Sequence, residues 1–135
     1  MTRTRIFAGL VLVILAALGW MVFGSGSHTT TTAIAGITVP DLSGTAAEGA
    51  ALYTKYCVEC HGENAAGSDK GPPLIHKYYE PNHHTDQAFM VATLHGARQH
   101  HWKFGNMKPV EGISQDEVIK IITYVRAVQR ANGIQ

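Results

Sequence analysis

Apolar residues form one long uncharged run near the start of the chain, residues 6–23. These 18 residues contain no charged side chain, and Arg3 and Arg5 precede them. A run of this length can cross a membrane once as a helix, and the two arginines favour a cytoplasmic N-terminus. We therefore expect a single-pass membrane anchor, with everything that follows it on the periplasmic or outer side of the cytoplasmic membrane. A cleaved signal segment is the alternative, and it exports the chain equally.

Three helices are predicted after residue 44. Thr45 and Glu48 form a capping-box pattern, so the first helix is predicted to begin at Thr45 and to run to the cysteines. Gly49 and Tyr53, four residues apart, share one face of it. A middle helix is predicted over roughly Thr85–Arg98.

The last helix has the clearest pattern. Ser114 and Glu117 form a second capping box, and the apolar residues from 118 to 128 follow a period of 3.6 residues. Asn132-Gly133 is a typical C-terminal stop. No stretch alternates apolar and polar residues for long enough to predict a strand. The fold class is therefore predicted to be all-α, with three main helices and long loops.

The segment between the apolar run and the first helix is rich in glycine, serine and threonine. It indicates a flexible linker over residues 24–44, which divides the chain into an anchor or signal segment (1–23), the linker and a folded domain (45–135). Without Arg3 and Arg5, nine Lys and Arg residues face ten Asp and Glu residues, a net charge of −1. Since no basic stripe appears, nucleic acid is not an expected partner.

The two cysteines of the chain, Cys57 and Cys60, stand two residues apart, and His61 follows at once. A disulfide would give the histidine no role, and a thioredoxin-like redox pair needs strands that the pattern lacks. A zinc site could recruit two of the eight histidines, but the later ones come as doublets and not at zinc-finger spacing. Cys-x-x-Cys-His is typical of covalent haem attachment, in which both thiols form thioethers and the histidine binds iron. We therefore predict one haem c, attached through Cys57 and Cys60, with His61 as a ligand of the iron.

The second iron ligand decides what such a haem can do. Met90 lies on the apolar side of the middle helix, where a packing role explains it. Met107 lies in a loop just before the last helix, where no packing pattern explains a methionine. Met107 is therefore predicted to bind the iron, and a histidine or an open position is the alternative.

Taken in order, these motifs resemble the class I, single-haem c-type cytochromes over about residues 45–131. One departure is that the family often has Met-Pro, whereas Lys108 separates Met107 from Pro109 here. The resemblance is carried by Gly49 and Tyr53 ahead of the attachment motif, Gly71-Pro72-Pro73-Leu74, Met107 with Pro109, and Ile121-Ile122-Thr123-Tyr124.

The resemblance implies a cytochrome c fold, in which the first and last helices cross at Gly49 and Tyr53 packs near Ile121 and Tyr124. It also implies that the Pro72 carbonyl accepts the second ring N–H of His61. The same resemblance implies that the walls of the haem pocket include Leu74, Trp102 and Tyr78.

A haem bound by both histidine and methionine has no vacant site, so the expected function is one-electron transfer and not enzymatic catalysis. The expected partners are redox proteins of a respiratory or dehydrogenase chain and, through residues 6–23, the membrane. The expected state is a monomer or a small subunit. Two alternatives stay open. One is a haem subunit of a larger dehydrogenase or oxidase. The other is a haem domain with a ligand-binding or second-metal role that uses its histidines, among them His83, His84, His100 and His101.

Overall fold

The computed structural model describes residues 36–135, and its secondary structure is helical, which confirms the predicted all-α class. Within this range there is no β-strand, and only Ala97 and Met107 form an isolated antiparallel bridge. The helices are α1 (Gly44–Tyr56), α2 (Val58–His61), α3 (Asp86–His95) and α4 (Gln115–Ala131), with 3-10 turns at Glu63–Ala65 and Lys77–Tyr79.

The membrane helix predicted over residues 6–23 lies outside the described residues. From residue 36 onward, no helix combines the length and the apolar character that a membrane span requires.

Helix α1 begins at Gly44, one residue before the predicted start, and without the predicted cap. Ser43 occupies the N-cap position but its side chain accepts no hydrogen bond there, and Thr45 already lies in the first turn. The prediction of a capping box at Thr45 and Glu48 is therefore wrong. The physical reason is a competing partner, because the Glu48 carboxylate accepts a hydrogen bond from Lys120 Nζ of α4 at 2.5 Å.

Helix α3 ends at His95 and not at the predicted Arg98. Thr85 caps its start by accepting a hydrogen bond from the Ala88 N–H. Gly96 ends it with a φ of +80°, a left-handed conformation that glycine adopts without a steric penalty. A Cβ at this position would also lie 2.6 Å from the carbonyl oxygen of Met107. The chain therefore leaves the helix at Gly96, and the next residue, Ala97, pairs with the backbone of Met107.

Helix α4 begins as predicted. The Ser114 hydroxyl accepts a hydrogen bond from the Glu117 N–H, and the Glu117 carboxylate accepts one from the Ser114 N–H at 2.8 Å. Asn132 is its C-cap, which confirms the predicted stop. Its apolar residues are buried along one stripe, as the 3.6-residue period predicts: Val118, Ile121, Ile122, Val125 and Val128.

Helices α1 and α4 cross at Gly49, which is buried. A Cβ added there would lie 1.9 Å from the carbonyl oxygen of Lys120, so the two backbones approach too closely for any side chain. One turn later, the buried Tyr53 packs on Tyr124, with ring centroids 5.2 Å apart. The structure confirms both contacts that the resemblance implies.

The core is completed by the segment that precedes α1. Ile37, Val39 and Leu42 pack against it, and the Thr38 N–H donates to the Asn132 side chain at 2.9 Å. These residues belong to the segment predicted as a linker, where glycine, serine and threonine outnumber them. The division of the chain at residues 23 and 44 stays a prediction. The buried core residues in contact are Tyr53, Ala65, Leu74, Ile121, Tyr124, Val125 and Val128.

A buried polar network holds the loops that surround the cleft described below. Arg126 is 6% exposed, and its guanidinium donates to Asp86 Oδ1 at 2.8 Å and to the carbonyl oxygens of Tyr79 and His84. Gln129, which follows Arg126 by one turn of α4, donates to the carbonyl oxygen of Leu74 at 2.8 Å. Helix α4 therefore fixes three loop segments through charge-assisted and neutral hydrogen bonds.

Candidate functional site

The Cys-x-x-Cys-His motif forms the short helix α2 directly after α1. Cys57 ends α1 and caps α2, and its carbonyl accepts a hydrogen bond from the His61 N–H at 2.9 Å. The Tyr53 hydroxyl donates to the Gly62 carbonyl at 2.8 Å, which fixes the turn after the motif. Cys57 and His61 line a cleft, whereas Cys60 is exposed and is not among the lining residues.

The thiol of Cys57 is held in its protonated form. Burial, with a smaller contribution from Cys60, raises the pKa of the Cys57 thiol to about 12. The thiolate is the form that attacks disulfides, so this environment disfavours the redox-pair interpretation.

His61 is oriented by the loop that follows the motif. Its Nδ1 lies 2.9 Å from the carbonyl oxygen of Pro72, which can only accept, so Nδ1 carries the proton and Nε2 keeps its lone pair. This is the hydrogen bond that the resemblance implies. Burial lowers the pKa of His61, and the bond to Pro72 opposes that shift. The result is a neutral imidazole with one nitrogen available for a metal, the arrangement typical of histidine ligands.

Met107 reaches the same cleft from the loop between α3 and α4. Its N–H donates to the Ala97 carbonyl at 2.9 Å and its carbonyl accepts from the Ala97 N–H at 3.0 Å. Across the same loop, Gln99 bonds the Asn106 side chain and the Gly105 N–H. These bonds hold the backbone of Met107 in place without burying it in the core, and the half-buried residue lines the cleft.

The cleft is apolar and opens to solvent, and the empty space in it, together with the solvent at its mouth, is about 950 Å³. Of the residues predicted for the site, it brings together Cys57, His61, Pro72, Leu74, Trp102 and Met107. Tyr78, the third predicted wall, does not line it. Its ring stacks on His101 instead, with centroids 4.5 Å apart.

Other residues that line the cleft were predicted only as apolar faces of helices, or were not predicted at all. Phe89 and Thr93 of α3 belong to the apolar side of the predicted middle helix, and that side faces the cleft. Tyr79 takes the place predicted for its neighbour Tyr78, and only the fold of the 3-10 turn distinguishes the two. From α4, the apolar stripe contributes Val118, Ile121, Ile122 and Val125.

Trp102 carries the one buried side-chain polar atom without a partner in the described part of the chain, its indole Nε1. An unsatisfied buried N–H costs roughly 1–3 kcal/mol, so a ligand with an acceptor group would relieve it. The cleft thus offers the Cys57 thiol, an imidazole nitrogen, a thioether and an N–H donor within apolar walls. This donor set fits haem c, whose iron takes histidine and methionine ligands and whose propionates accept hydrogen bonds.

Comparisons with known proteins agree with this geometry. The family model described as "Cytochrome c" matches residues 46–129. Among solved structures, the chain is similar to cytochrome cL from the marine methylotrophic bacterium Methylophaga aminisulfidivorans, with a TM-score of 0.50 and 23% identity. The match covers 81% of this chain and 62% of that one, so this chain spans less than two thirds of that protein's length. At this identity the likeness shows the fold. No curated protein sequence matches the chain.

Proposed function

Since the chain belongs to the cytochrome c family, whose members hold haem c covalently, we propose that it is a one-electron carrier that binds one haem c in this cleft. Cys57 and Cys60 would form the two thioethers, and His61 and Met107 would bind the iron. Bound there, haem c supplies a reversible one-electron change at iron. The observation that carries the proposal is the convergence of Cys57, His61 and Met107 on one apolar cleft.

The chain's own residues set the conditions of that chemistry. The Pro72 carbonyl fixes the tautomer and the orientation of His61, and the Ala97 bridge holds Met107. Leu74 and the apolar residues of α3 and α4 line the cleft and would give the haem apolar surroundings. Thioether ligation and a dry environment both favour a raised reduction potential. If His61 and Met107 both hold the iron, no position is left for a substrate, which favours electron transfer over catalysis.

Binding of carbon monoxide distinguishes this proposal from the ligand-binding alternative. We expect the reduced parent protein to leave carbon monoxide unbound over minutes, because His61 and Met107 would both hold the iron and leave no position open. The variant Met107→Ala should bind it readily, with a clear shift of the visible spectrum. Ready binding by the parent protein would instead support a ligand-binding haem domain.

We also propose that the protein works at the outer face of the cytoplasmic membrane, anchored by residues 6–23. The support is the uncharged run of 18 residues preceded by Arg3 and Arg5. Anchoring and the segment at 24–44 would keep the haem domain close to membrane-bound redox proteins of a respiratory or dehydrogenase chain, which raises its effective concentration there.

Fractionation of cells that express the full chain tests the location. We expect the protein in the membrane fraction after a high-salt wash, with release only by detergent. An N-terminus that begins after residue 23, together with recovery in the soluble periplasmic fraction, would show a cleaved signal segment and overturn the anchor.

A further inference from the structure

Four histidines gather at one side of the cleft, and we call them the histidine cluster: His83, His84, His100 and His101. The last three of them line the cleft. The first two precede α3, and the last two lie in the loop that carries Met107. Nε2 of His83 lies 3.2 Å from Nε2 of His101, and Nε2 of His84 lies 3.3 Å from Nε2 of His100. One ring nitrogen from each of His83, His84 and His101 lies within 4.8 Å of the other two. Residues far apart in the chain thus bring several imidazole nitrogens to one point.

The partners of the Nδ1 atoms show that one of these pairs is not a hydrogen bond between two neutral rings. His84 Nδ1 bonds the carbonyl oxygen of Tyr78, and His100 Nδ1 bonds the carbonyl oxygen of Arg98 at 2.7 Å. Carbonyl oxygens only accept, so both Nδ1 atoms carry a proton. In the neutral rings, both Nε2 atoms then present lone pairs to each other across 3.3 Å. Such a pair needs either a proton or a metal ion between its nitrogens.

The spacing suits a metal ion. In a tetrahedral site with metal–nitrogen distances of about 2.0–2.1 Å, neighbouring nitrogens stand roughly 3.3–3.4 Å apart. The two observed nitrogen pairs, at 3.2 and 3.3 Å, match that value. The bonds from His84 and His100 to backbone carbonyls are also the outer-shell bonds that metal-binding histidines make.

The surrounding charge does not oppose a cation. Arg126 donates to the backbone carbonyl of His84, but the Asp86 carboxylate pairs with it at 2.8 Å and offsets its charge. The His101 ring is held by stacking on Tyr78, and its neighbour Trp102 packs on that same tyrosine. The cluster is therefore partly ordered before any metal binds, which lowers the entropy cost of binding.

We propose that the histidine cluster binds one divalent transition-metal ion of the class that imidazole prefers, Zn²⁺ or Cu²⁺, through His83, His84 and His101, with His100 as the fourth ligand. The proposed function assigns none of these side chains to the haem iron, although His84, His100 and His101 line the same cleft. A bound ion would also tie the segment before α3 to the loop that holds Met107.

Zinc is the appropriate probe, because the haem iron cannot reduce it. The full-length protein with haem bound is equilibrated with Zn²⁺ alone and dialysed, and zinc and iron are measured per chain by elemental analysis. We expect one zinc ion per chain. X-ray absorption spectroscopy at the zinc edge should show nitrogen ligands at about 2.0–2.1 Å. The iron content of the same sample reports separately on haem binding, so the two proposals can fail independently.

Variants identify the ligands. His83→Gln and His101→Gln should each weaken zinc binding by more than the roughly 10–100-fold that loss of an outer-shell partner costs. His95→Gln is the matched control, since His95 is exposed at the end of α3, away from the cluster. Far-UV circular dichroism checks that each variant is folded. Equal zinc affinity in His83→Gln and His95→Gln, or no zinc retained by the parent protein, would overturn the proposal.

Discussion

At the scale of single residues, Gly49 determines how closely α1 and α4 approach. Its missing Cβ leaves room for the Lys120 carbonyl oxygen, which a Cβ would meet at 1.9 Å. Backbone cannot move aside as a flexible side chain can, so a larger residue must push the helices apart. That displacement would also disturb the packing of Tyr53 on Tyr124 one turn away.

We predict that Gly49→Ala lowers the free energy of unfolding by at least about 2 kcal/mol, within the range that overpacking costs. Helix propensity alone predicts the opposite effect, since it favours alanine over glycine by about 1 kcal/mol in an exposed helix. Denaturant unfolding followed by far-UV circular dichroism measures the change. Ala51→Gly, on the exposed side of α1, is the control and should lose only the propensity difference. A Gly49→Ala variant as stable as the parent would contradict the close crossing.

Met107 and the neighbouring tyrosines 78 and 79 illustrate which site residues can and cannot be identified from the sequence. Met107 could be singled out because its loop position had no packing explanation, and the structure places it at the cleft. Tyr78 and Tyr79 could not be told apart, since both are aromatic neighbours in one loop. Which of them faces the cleft depends on the 3-10 turn that Lys77–Tyr79 adopts, and on the hydrogen bonds from Arg126 and Gln129 to the Tyr79 carbonyl.

At the scale of elements, the capping box of α4 links stability to pH. Hydrogen bonds from the Ser114 backbone and side chain are the main causes that lower the pKa of Glu117 below its ordinary value of 4.5. A carboxyl whose pKa falls on folding stabilises the folded state above its unfolded pKa, and this contribution is lost as pH falls through the folded pKa.

We therefore predict that the melting temperature of Glu117→Gln lies below that of the parent at neutral pH, and that the gap closes as pH falls below 4.5. The glutamine can still accept from the Ser114 N–H, so the variant removes mainly the charge. Thermal melts between pH 7 and pH 3 provide the measurement. Glu111→Gln, at an exposed position outside the capping box, is the control. Parallel curves for Glu117→Gln and the parent would refute the linkage.

The elements that could be predicted from the sequence are those whose local signals meet no competitor. Ser114 and Glu117 cap α4 as their spacing predicts. Thr45 and Glu48 have the same spacing, yet Glu48 bonds Lys120 instead, and only the helix crossing brings those two together. The early end of α3 has a similar cause, because Gly96 must let the chain turn toward Met107.

At the scale of the whole molecule, the fold explains why a chain with a modest core has such long loops. The loop after α2, the 3-10 turn at Lys77–Tyr79 and the loop before α4 all surround one cleft, and their side chains line it more than they line the core. Helices α1 and α4 pack against each other, and hydrogen bonds from Arg126 and Gln129 of α4 hold the loops against this helix pair. The sequence motifs indicated which residues would meet at the cleft. The positions of the histidine cluster depended on two loops whose approach no local pattern predicts.

The central claim is a haem c closed on both faces by His61 and Met107. Optical spectra of the purified oxidised and reduced protein test it most directly, with Met107→Ala and, as the matched control, Met90→Ala. We expect covalently bound haem in all three proteins, and the weak red band of a methionine–iron bond in the parent and Met90→Ala but not in Met107→Ala. A parent spectrum without that band, or a Met107→Ala variant that keeps it, would contradict the assignment of Met107. A protein without covalent haem would contradict the account as a whole.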